Sequence, residues 1–176
     1  EIASCLVGSE MCIRDSSITY STQIVKLAAS LGIEIPILGG DTLDSNMVLE
    51  AAAGSDVQLY VSTFYQEGGS PKFDDGIKAW LNEDSTAMTN NGGNDTIAAV
   101  TAMGYDAYYV ALEALKAAGS TDKAAVKAAL PDVTYTGVSG SIAFDEQGDA
   151  IRDTAYIKTA DTANNAWTLE TVQTVE

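Results

Sequence analysis

The sequence contains no histidine and only two cysteines among its 176 residues. Without histidine, a Ser-His-Asp or Cys-His mechanism, a histidine-ligated zinc site and a histidine pH switch are all excluded. The two cysteines, Cys5 and Cys12, have a spacing that matches neither a CxxC metal site nor a CxxC redox pair. Most hydrolase mechanisms and the common cysteine sites are therefore ruled out.

Basic residues are also scarce, with nine lysines and arginines against 25 aspartates and glutamates and a net charge of −16. They form no cluster, and nucleic-acid affinity depends on such clusters releasing counterions from phosphates. The same negative charge repels anionic lipid surfaces. No apolar stretch approaches the ~18 residues of a membrane-spanning helix. We therefore expect neither nucleic acid as a partner nor direct insertion into a membrane.

The common nucleotide-binding and hydrolase motifs are missing as well. The chain has no GxGxxG, no Walker P-loop, no GxSxG and no HExxH sequence. We expect no cofactor, no metal and no enzymatic activity. Hydrophobic residues nevertheless make up 46% of the chain, which is too many for an intrinsically disordered segment and enough for a buried core.

The first part of the chain alternates between helical and strand patterns. Apolar residues recur at helical spacing up to Leu31, and Gly32 stands where a left-handed glycine ends a helix. Asp44 or Ser45 can cap a second helix. This rhythm predicts an α/β fold with a parallel sheet covered by helices. In order, the predicted elements are a helix over 24–31, a strand over 33–38, a helix from 44 or 45 to 53 and a strand over 57–65.

The remainder of the chain is helical at first and then extended. We predict helices over 71–82 and 121–130, a long helix from the capping residue Asp95 to Gly119, and a polar loop over 88–93. From residue 137 onward, alternating patterns and turn residues predict an antiparallel meander. The buried stripe predicted for the long helix consists of Ile97, Val100, Gly104, Tyr108, Ala111, Leu112 and Leu115.

One cluster of residues suggests a ligand site. Asp41 comes directly after a predicted parallel strand, at the carboxyl edge where open α/β sheets bind ligands. A carboxylate shielded from water there would pair with a cation such as an α-ammonium group. The residues alone favour a structural role, in which Asp41 closes an Asx turn or caps the next helix. An enzyme using Asp41 and Asp44 as acid and base is a weaker alternative, because no second catalytic group accompanies them.

The opening segment has a different origin in our interpretation. Residues 5–16 resemble a translated sequencing adapter fused to the reading frame. The alternative is an ordinary strand and loop, and the apolar pattern is too short to decide between the two. We expect residues 1–16 to be non-native and the chain to be truncated at its N-terminus, with any signal sequence lost.

From Ser21 onward the sequence resembles the C-terminal half of a periplasmic-type solute-binding protein, and more narrowly the branched-chain amino acid receptors of ABC transporters. The resemblance implies a type I fold, in which two interwoven lobes of parallel sheets flanked by helices are connected by three hinge crossings. It assigns 17–64 and 138–176 to the second lobe and 65–137 to the helical portion of the first lobe. Four segments carry it in the correct order: SLGIEIPILGGDTLDS, VSTFY, AMGYDAYYVALEALKAAGSTDKAAVKAAL and TGVSGSIAFDEQGDA.

The resemblance also implies site residues. Asp41 matches the acidic residue that receives the ligand's α-ammonium group, with Gly40 and Thr42 beside it. The family places a tyrosine upstream of that acid, and its usual spacing counts back to Ser17; the nearby Tyr20 is out of register but remains a candidate. The groups that hold the ligand's carboxylate belong to the first-lobe half.

By resemblance, the function is the capture of an amino acid, branched-chain or otherwise aliphatic, by hinge closure, with delivery to the membrane permease of an ABC importer. The location would be periplasmic, or extracellular and membrane-anchored. Two alternatives stay open: a ligand-sensing domain of a receptor or regulator with the same fold, and binding of a short amide or urea-like ligand.

A physical consequence follows for the helices between Pro71 and Leu130. In the family they cover a first-lobe sheet that this sequence does not contain. We therefore expect exposed apolar faces on them and poor stability of the chain on its own.

Overall fold

The fold is known from a computed structural model, which describes the backbone of residues 12–13 and all of residues 17–174. The proposed adapter segment, residues 1–16, lies outside the described residues except for the short strand Cys12–Ile13. Among the described residues, no helix is both long and apolar enough to cross a bilayer.

In the part of the chain that the structure describes, six helices and eight strands alternate much as the sequence predicts. The helices are α1 (Ile18–Leu31), α2 (Asn46–Ala52), α3 (Pro71–Glu83), α4 (Ser85–Asn90), α5 (Ala99–Ala118) and α6 (Lys123–Ala129), with 3-10 turns at Asp41–Leu43 and Leu130–Asp132. The strands are β1 (Cys12–Ile13), β2 (Ile37–Gly39), β3 (Leu59–Thr63), β4 (Tyr135–Gly137), β5 (Gly140–Phe144), β6 (Ala150–Ile151), β7 (Thr154–Asp161) and β8 (Ala166–Thr174).

The main sheet is mixed, with strand order β1-β2-β3-β7-β8. Strands β1, β2 and β3 run parallel, whereas β7 pairs antiparallel with both β3 and β8. A second, smaller sheet joins β4, β5 and β6 in antiparallel order. The α/β fold class and the antiparallel C-terminal strands are therefore confirmed.

The largest core lies between the main sheet and helices α1 and α2. Strand β3 alternates in the manner of a half-buried strand: Leu59, Val61 and Thr63 are buried and Ser62 is exposed. Val25 of α1 and Val48 of α2 are fully buried against this face. Two smaller cores hold α5 against α3 and against the β4–β5 hairpin.

Several helix ends follow directly from the sequence. Gly32 and Gly119 end α1 and α5 in the left-handed conformation, with φ of 63° and 58°. Ser45 caps α2, because its hydroxyl accepts a hydrogen bond from the backbone N–H of Met47. Asp122 caps α6 in the same way through Ala124 and Ala125.

Three local predictions were wrong. Helix α4 extends into the predicted 88–93 loop as far as Asn90, because the Asp84 carboxylate caps it through Thr86 and Ala87. Helix α5 begins at Ala99 and not at Asp95, and its N-cap residue, Ala98, offers no capping side chain. The strand predicted over 33–38 is reduced to β2, because Pro36 has no backbone N–H to donate to a ladder.

The stripe predicted to be buried on α5 is largely exposed. Val100 and Tyr108 are 66% and 63% exposed, whereas Ile97, just ahead of the helix, is buried. Trp80 of α3 is also exposed. Apolar side chains on both helices are thus exposed in this structure.

Candidate functional site

A cavity of about 460 Å³ lies at the carboxyl end of β2. Its walls come from five places: the start of α1, the turn that follows β2, the start of α2, the end of α4 with the loop after it, and the first turn of α5. The lining residues are Ser17, Ile18, Asp41, Thr42, Asp44, Ser45, Asn46, Met47, Asn90, Asn91, Gly92, Ala98, Val100 and Thr101.

Asp41 opens the 3-10 turn directly after β2 and lines this cavity, as the sequence suggests. Gly39 makes the turn possible, because a Cβ there would overlap the Leu43 side chain. The Asp41 backbone carbonyl accepts a hydrogen bond from the Asp44 N–H at 3.0 Å. No residue of 17–174 donates a hydrogen bond to its half-buried carboxylate. Within these residues, the negatively charged carboxylate oxygens are therefore available as hydrogen-bond acceptors for a ligand.

Of the other predicted site residues, some line the cavity and others do not. Thr42 lines the cavity. Gly40 precedes the turn in extended conformation, with open space around it, and is not a lining residue. Tyr20 lies on α1 with 65% of its surface exposed and does not line the cavity. Ser17, the position reached by the family's spacing, does line it.

Asp44 is the most heavily bonded side chain of the site. It is 3% exposed, and its Oδ2 accepts hydrogen bonds from Thr63 Oγ1 at 2.8 Å, Ala99 N at 3.1 Å and Lys158 Nζ at 3.0 Å. Its Oδ1 is buried and accepts no hydrogen bond from the described part of the chain. Lys158 is itself buried, so the two charges form an ion pair inside the protein.

Asn46 binds the loop after α4, which also lines the cavity. Its amide nitrogen donates to the carbonyl of Asn91 at 2.8 Å and to Asn94 Oδ1 at 2.9 Å. Asn91 in turn donates to the carbonyls of Asn94 and Thr96. Gly92 has φ of 77° and a Cβ there would press on Asn46, so a glycine suits this position both in backbone conformation and in space. The loop is thereby held against α2.

A second polar cluster connects α5, the turn between β4 and β5, and the segment after β3. Buried Asp106 of α5 accepts hydrogen bonds from Val138 N at 2.9 Å and from Ser139 N at 2.7 Å. Arg152 donates to the Ser139 carbonyl at 2.7 Å and lies 5.3 Å from the centre of the Phe64 ring. Burial lowers the pKa of Arg152, and the nearby negative charge of Asp106 opposes that change.

Sequence reasoning did not anticipate the supporting residues of the cavity. For Lys158 the sequence offered one indication, because a lysine interrupts the apolar side of a strand there. In the structure this position pairs with Val61 across β3 and β7. Asn46 and Asp106 carried none, because polar residues in helices usually face solvent.

The chemistry of the cavity suits a small ligand with a cationic donor and an apolar portion. Asp41 offers a carboxylate without a hydrogen-bond donor among residues 17–174, while Ile18, Met47 and Val100 offer apolar contact. Lys158, whose charge could repel a cation, is engaged by Asp44. Among the described residues, no group of three or more acidic or cysteine side chains is arranged to hold a metal.

A model of the periplasmic binding protein family matches residues 19–165. The chain belongs to this family. Its members bind solutes and are not enzymes, and the family implies an extracytoplasmic location.

Solved structures agree with the family assignment. A leucine binding protein, LivK, from Thermotoga maritima is 27% identical with a TM-score of 0.65, and the match covers 90% of this chain and 43% of that one. An ABC transporter substrate-binding protein from Desulfitobacterium hafniense, complexed with leucine, is 26% identical with a TM-score of 0.58, covering 88% and 41%.

The branched-chain amino acid transporter substrate-binding protein LivJ from Streptococcus pneumoniae, in complex with isoleucine, shares the fold at 23% identity, with a TM-score of 0.60 and coverage of 91% and 42%. The chain thus spans less than half of the length of each of these three structures. No protein of curated function matches the chain significantly.

Proposed function

We propose that this chain supplies the second lobe, and the helical portion of the first lobe, of a solute-binding protein that captures an aliphatic amino acid for an ABC importer. Residues 17–64 and 138–176 would form the second-lobe part and residues 65–137 the first-lobe part. The protein would act in the periplasm, or at the outer cell surface when membrane-anchored, and would deliver its ligand to a membrane permease.

The observation that carries this proposal is the Asp41 carboxylate, which no residue of 17–174 engages by a hydrogen bond, in a cavity that Ile18, Met47 and Val100 also line. A ligand ammonium group placed there would form a charge-assisted hydrogen bond. Closure of the two lobes would remove water from the pair and strengthen it. Val100 and Thr101, at the start of α5, line the same cavity as the Asp41 turn. Leucine-bound and isoleucine-bound relatives supply the ligand class.

The test is calorimetric titration of the complete two-lobed protein with leucine, isoleucine and valine. Asp41→Asn keeps the shape of the side chain and removes its charge, and we expect it to weaken binding by about 100-fold, as loss of one partner of a desolvated charge pair does. Asp56→Asn is the matched control, because Asp56 is exposed and lies outside the cavity. Retention of affinity within about tenfold in Asp41→Asn would remove Asp41 from the site.

A ligand-side experiment separates the amino group from the rest of the molecule. We expect 4-methylpentanoate, which is leucine without its ammonium group, to bind wild-type protein no better than it binds Asp41→Asn. Acetamide and urea serve as competitors in the same titration. Displacement of leucine by either at comparable concentration would favour an amide-type ligand over an amino acid.

A further inference from the structure

Helix α5 begins without a cap of its own. The first backbone N–H groups of a helix have no partner within the helix and need one from elsewhere. Ala98, at the N-cap position, has no side chain that can accept a hydrogen bond. The Ala99 N–H donates instead to the carboxylate of Asp44, 55 residues earlier in the chain. Asp44 therefore caps the longest helix of the chain from a different part of the fold.

The same carboxylate is connected to the Asp41 turn. The backbone N–H of Asp44 donates to the Asp41 carbonyl and ends the 3-10 turn. Only two residues separate Asp41 from Asp44, so a shift of Asp44 must move the turn. Asp44 thus connects two segments that line the cavity, the Asp41 turn and the first turn of α5.

Lys158 keeps this carboxylate in place. It lies on β7, between β3 and β8, and is 2% exposed. It is paired with Val61 across the sheet, beside the buried face of β3 to which Thr63 also belongs. A buried carboxylate without a counter-charge is unfavourable, and loss of one partner leaves the other uncompensated. The ion pair with Lys158 therefore anchors Asp44 to the central sheet.

We propose that Asp44, anchored by Lys158, is a positioning residue of the ligand site, which sets the distance between the Asp41 carboxylate and the start of α5. Asp44 acts through Asp41 and Ala99, and its hydrogen bonds are made within the protein. The predicted effect on ligand affinity rests on the proposed amino-acid-binding function. The predicted effect on the start of α5 at Ala99 is independent of that function.

The experiment compares Lys158→Met, Asp44→Ala and the double variant Asp44→Asn with Lys158→Met in the complete protein. Asp122→Asn is the control, since Asp122 also accepts two backbone hydrogen bonds at a helix start but is exposed and outside the cavity. Leucine affinity is measured at a temperature where circular dichroism shows every variant fully folded. Amide hydrogen exchange of Ala99 is measured on the same samples without ligand.

A positioning role predicts that Lys158→Met and Asp44→Ala weaken leucine binding by about tenfold, equivalent to about 1.4 kcal/mol, in fully folded protein. The double variant should recover affinity to within about threefold, because asparagine still accepts from Ala99 and no unpaired charge remains. Leucine affinity within about twofold of wild type in both single variants would overturn the proposal, because a merely structural role lowers stability without changing the affinity of folded molecules.

The exchange measurement keeps the two proposals distinguishable. We expect Ala99 to exchange at least about tenfold faster in Asp44→Ala and in Lys158→Met than in wild type, with no change in Asp122→Asn. If wild-type protein binds none of the amino acids, the proposed function fails, and the Ala99 result decides the inference on its own. Unchanged Ala99 exchange in both variants would show that Asp44 does not hold α5.

Discussion

Gly137 illustrates how one residue without a side chain permits a buried charge. A Cβ at Gly137 would overlap the carboxylate of Asp106, whose hydrogen bonds hold Val138 and Ser139. Gly137→Ala must displace that carboxylate, and we expect a loss of about 2–3 kcal/mol in the free energy of unfolding. Gly104→Ala is the matched control in α5, where open space surrounds the site and alanine should stabilise by about 0.5–1 kcal/mol. Urea unfolding measures both, and equal effects of the two substitutions would contradict the argument.

Tyr65 gives a pH-dependent prediction. Burial and, next, the 2.6 Å hydrogen bond to Asp74 raise the pKa of this phenol above its usual value of about 10. Since the folded state holds the proton more tightly than the unfolded state, this stability is fully present below about pH 10 and is lost as the pH rises toward the folded pKa. We expect the free energy of unfolding to fall less steeply above pH 10 in Tyr65→Phe than in wild type. Parallel pH curves for the two proteins would refute this prediction.

Two helix starts with typical capping residues differ in whether the side chain caps the helix. Ser70-Pro71 and Asp122 both look like N-terminal caps, but only Asp122 accepts hydrogen bonds from the helix it precedes. Asp122→Ala should therefore cost about 1 kcal/mol, whereas Ser70→Ala should change stability by less than about 0.3 kcal/mol. Thermal unfolding of the two variants tests the difference. A larger loss from Ser70→Ala would mean that its hydroxyl caps α3 in solution.

The chain taken as a unit has apolar surface without cover. Val100 and Tyr108 of α5, Trp80 of α3 and Leu31 of α1 are all more than half exposed. We expect the isolated chain to bind the dye ANS and to unfold in a broad transition, because such surfaces are normally buried against another part of a protein. Replacing Val100 and Tyr108 by lysine should reduce dye binding. A sharp calorimetric transition of soluble monomer at micromolar concentration would contradict the prediction.

The sequence by itself determined the elements whose signals are local. Gly32 and Gly119 end helices, the cap of α2 was narrowed to Asp44 or Ser45, and the strand over 57–65 was predicted. Each of these features depends on residues close together in sequence, so a pattern can report it. The position of Asp41 after a strand was equally readable. The cavity around it became visible only once α5 and the Asn90–Gly92 loop were in place.

Only the tertiary structure decided how the site is supported. Asp44 meets Thr63, Ala99 and Lys158 across separations of 19, 55 and 114 residues, and no local pattern encodes such partners. The predicted start of α5 at Asp95 was wrong for the same reason. The helix begins instead at Ala99, whose N–H donates to the distant buried carboxylate of Asp44. A local cap contributes about 1 kcal/mol to the free energy of folding. A buried charge without hydrogen-bond donors costs more than that, so the need to satisfy it decides the local structure. That imbalance is the physical reason why the fold could be predicted from the sequence and the arrangement of the cavity could not.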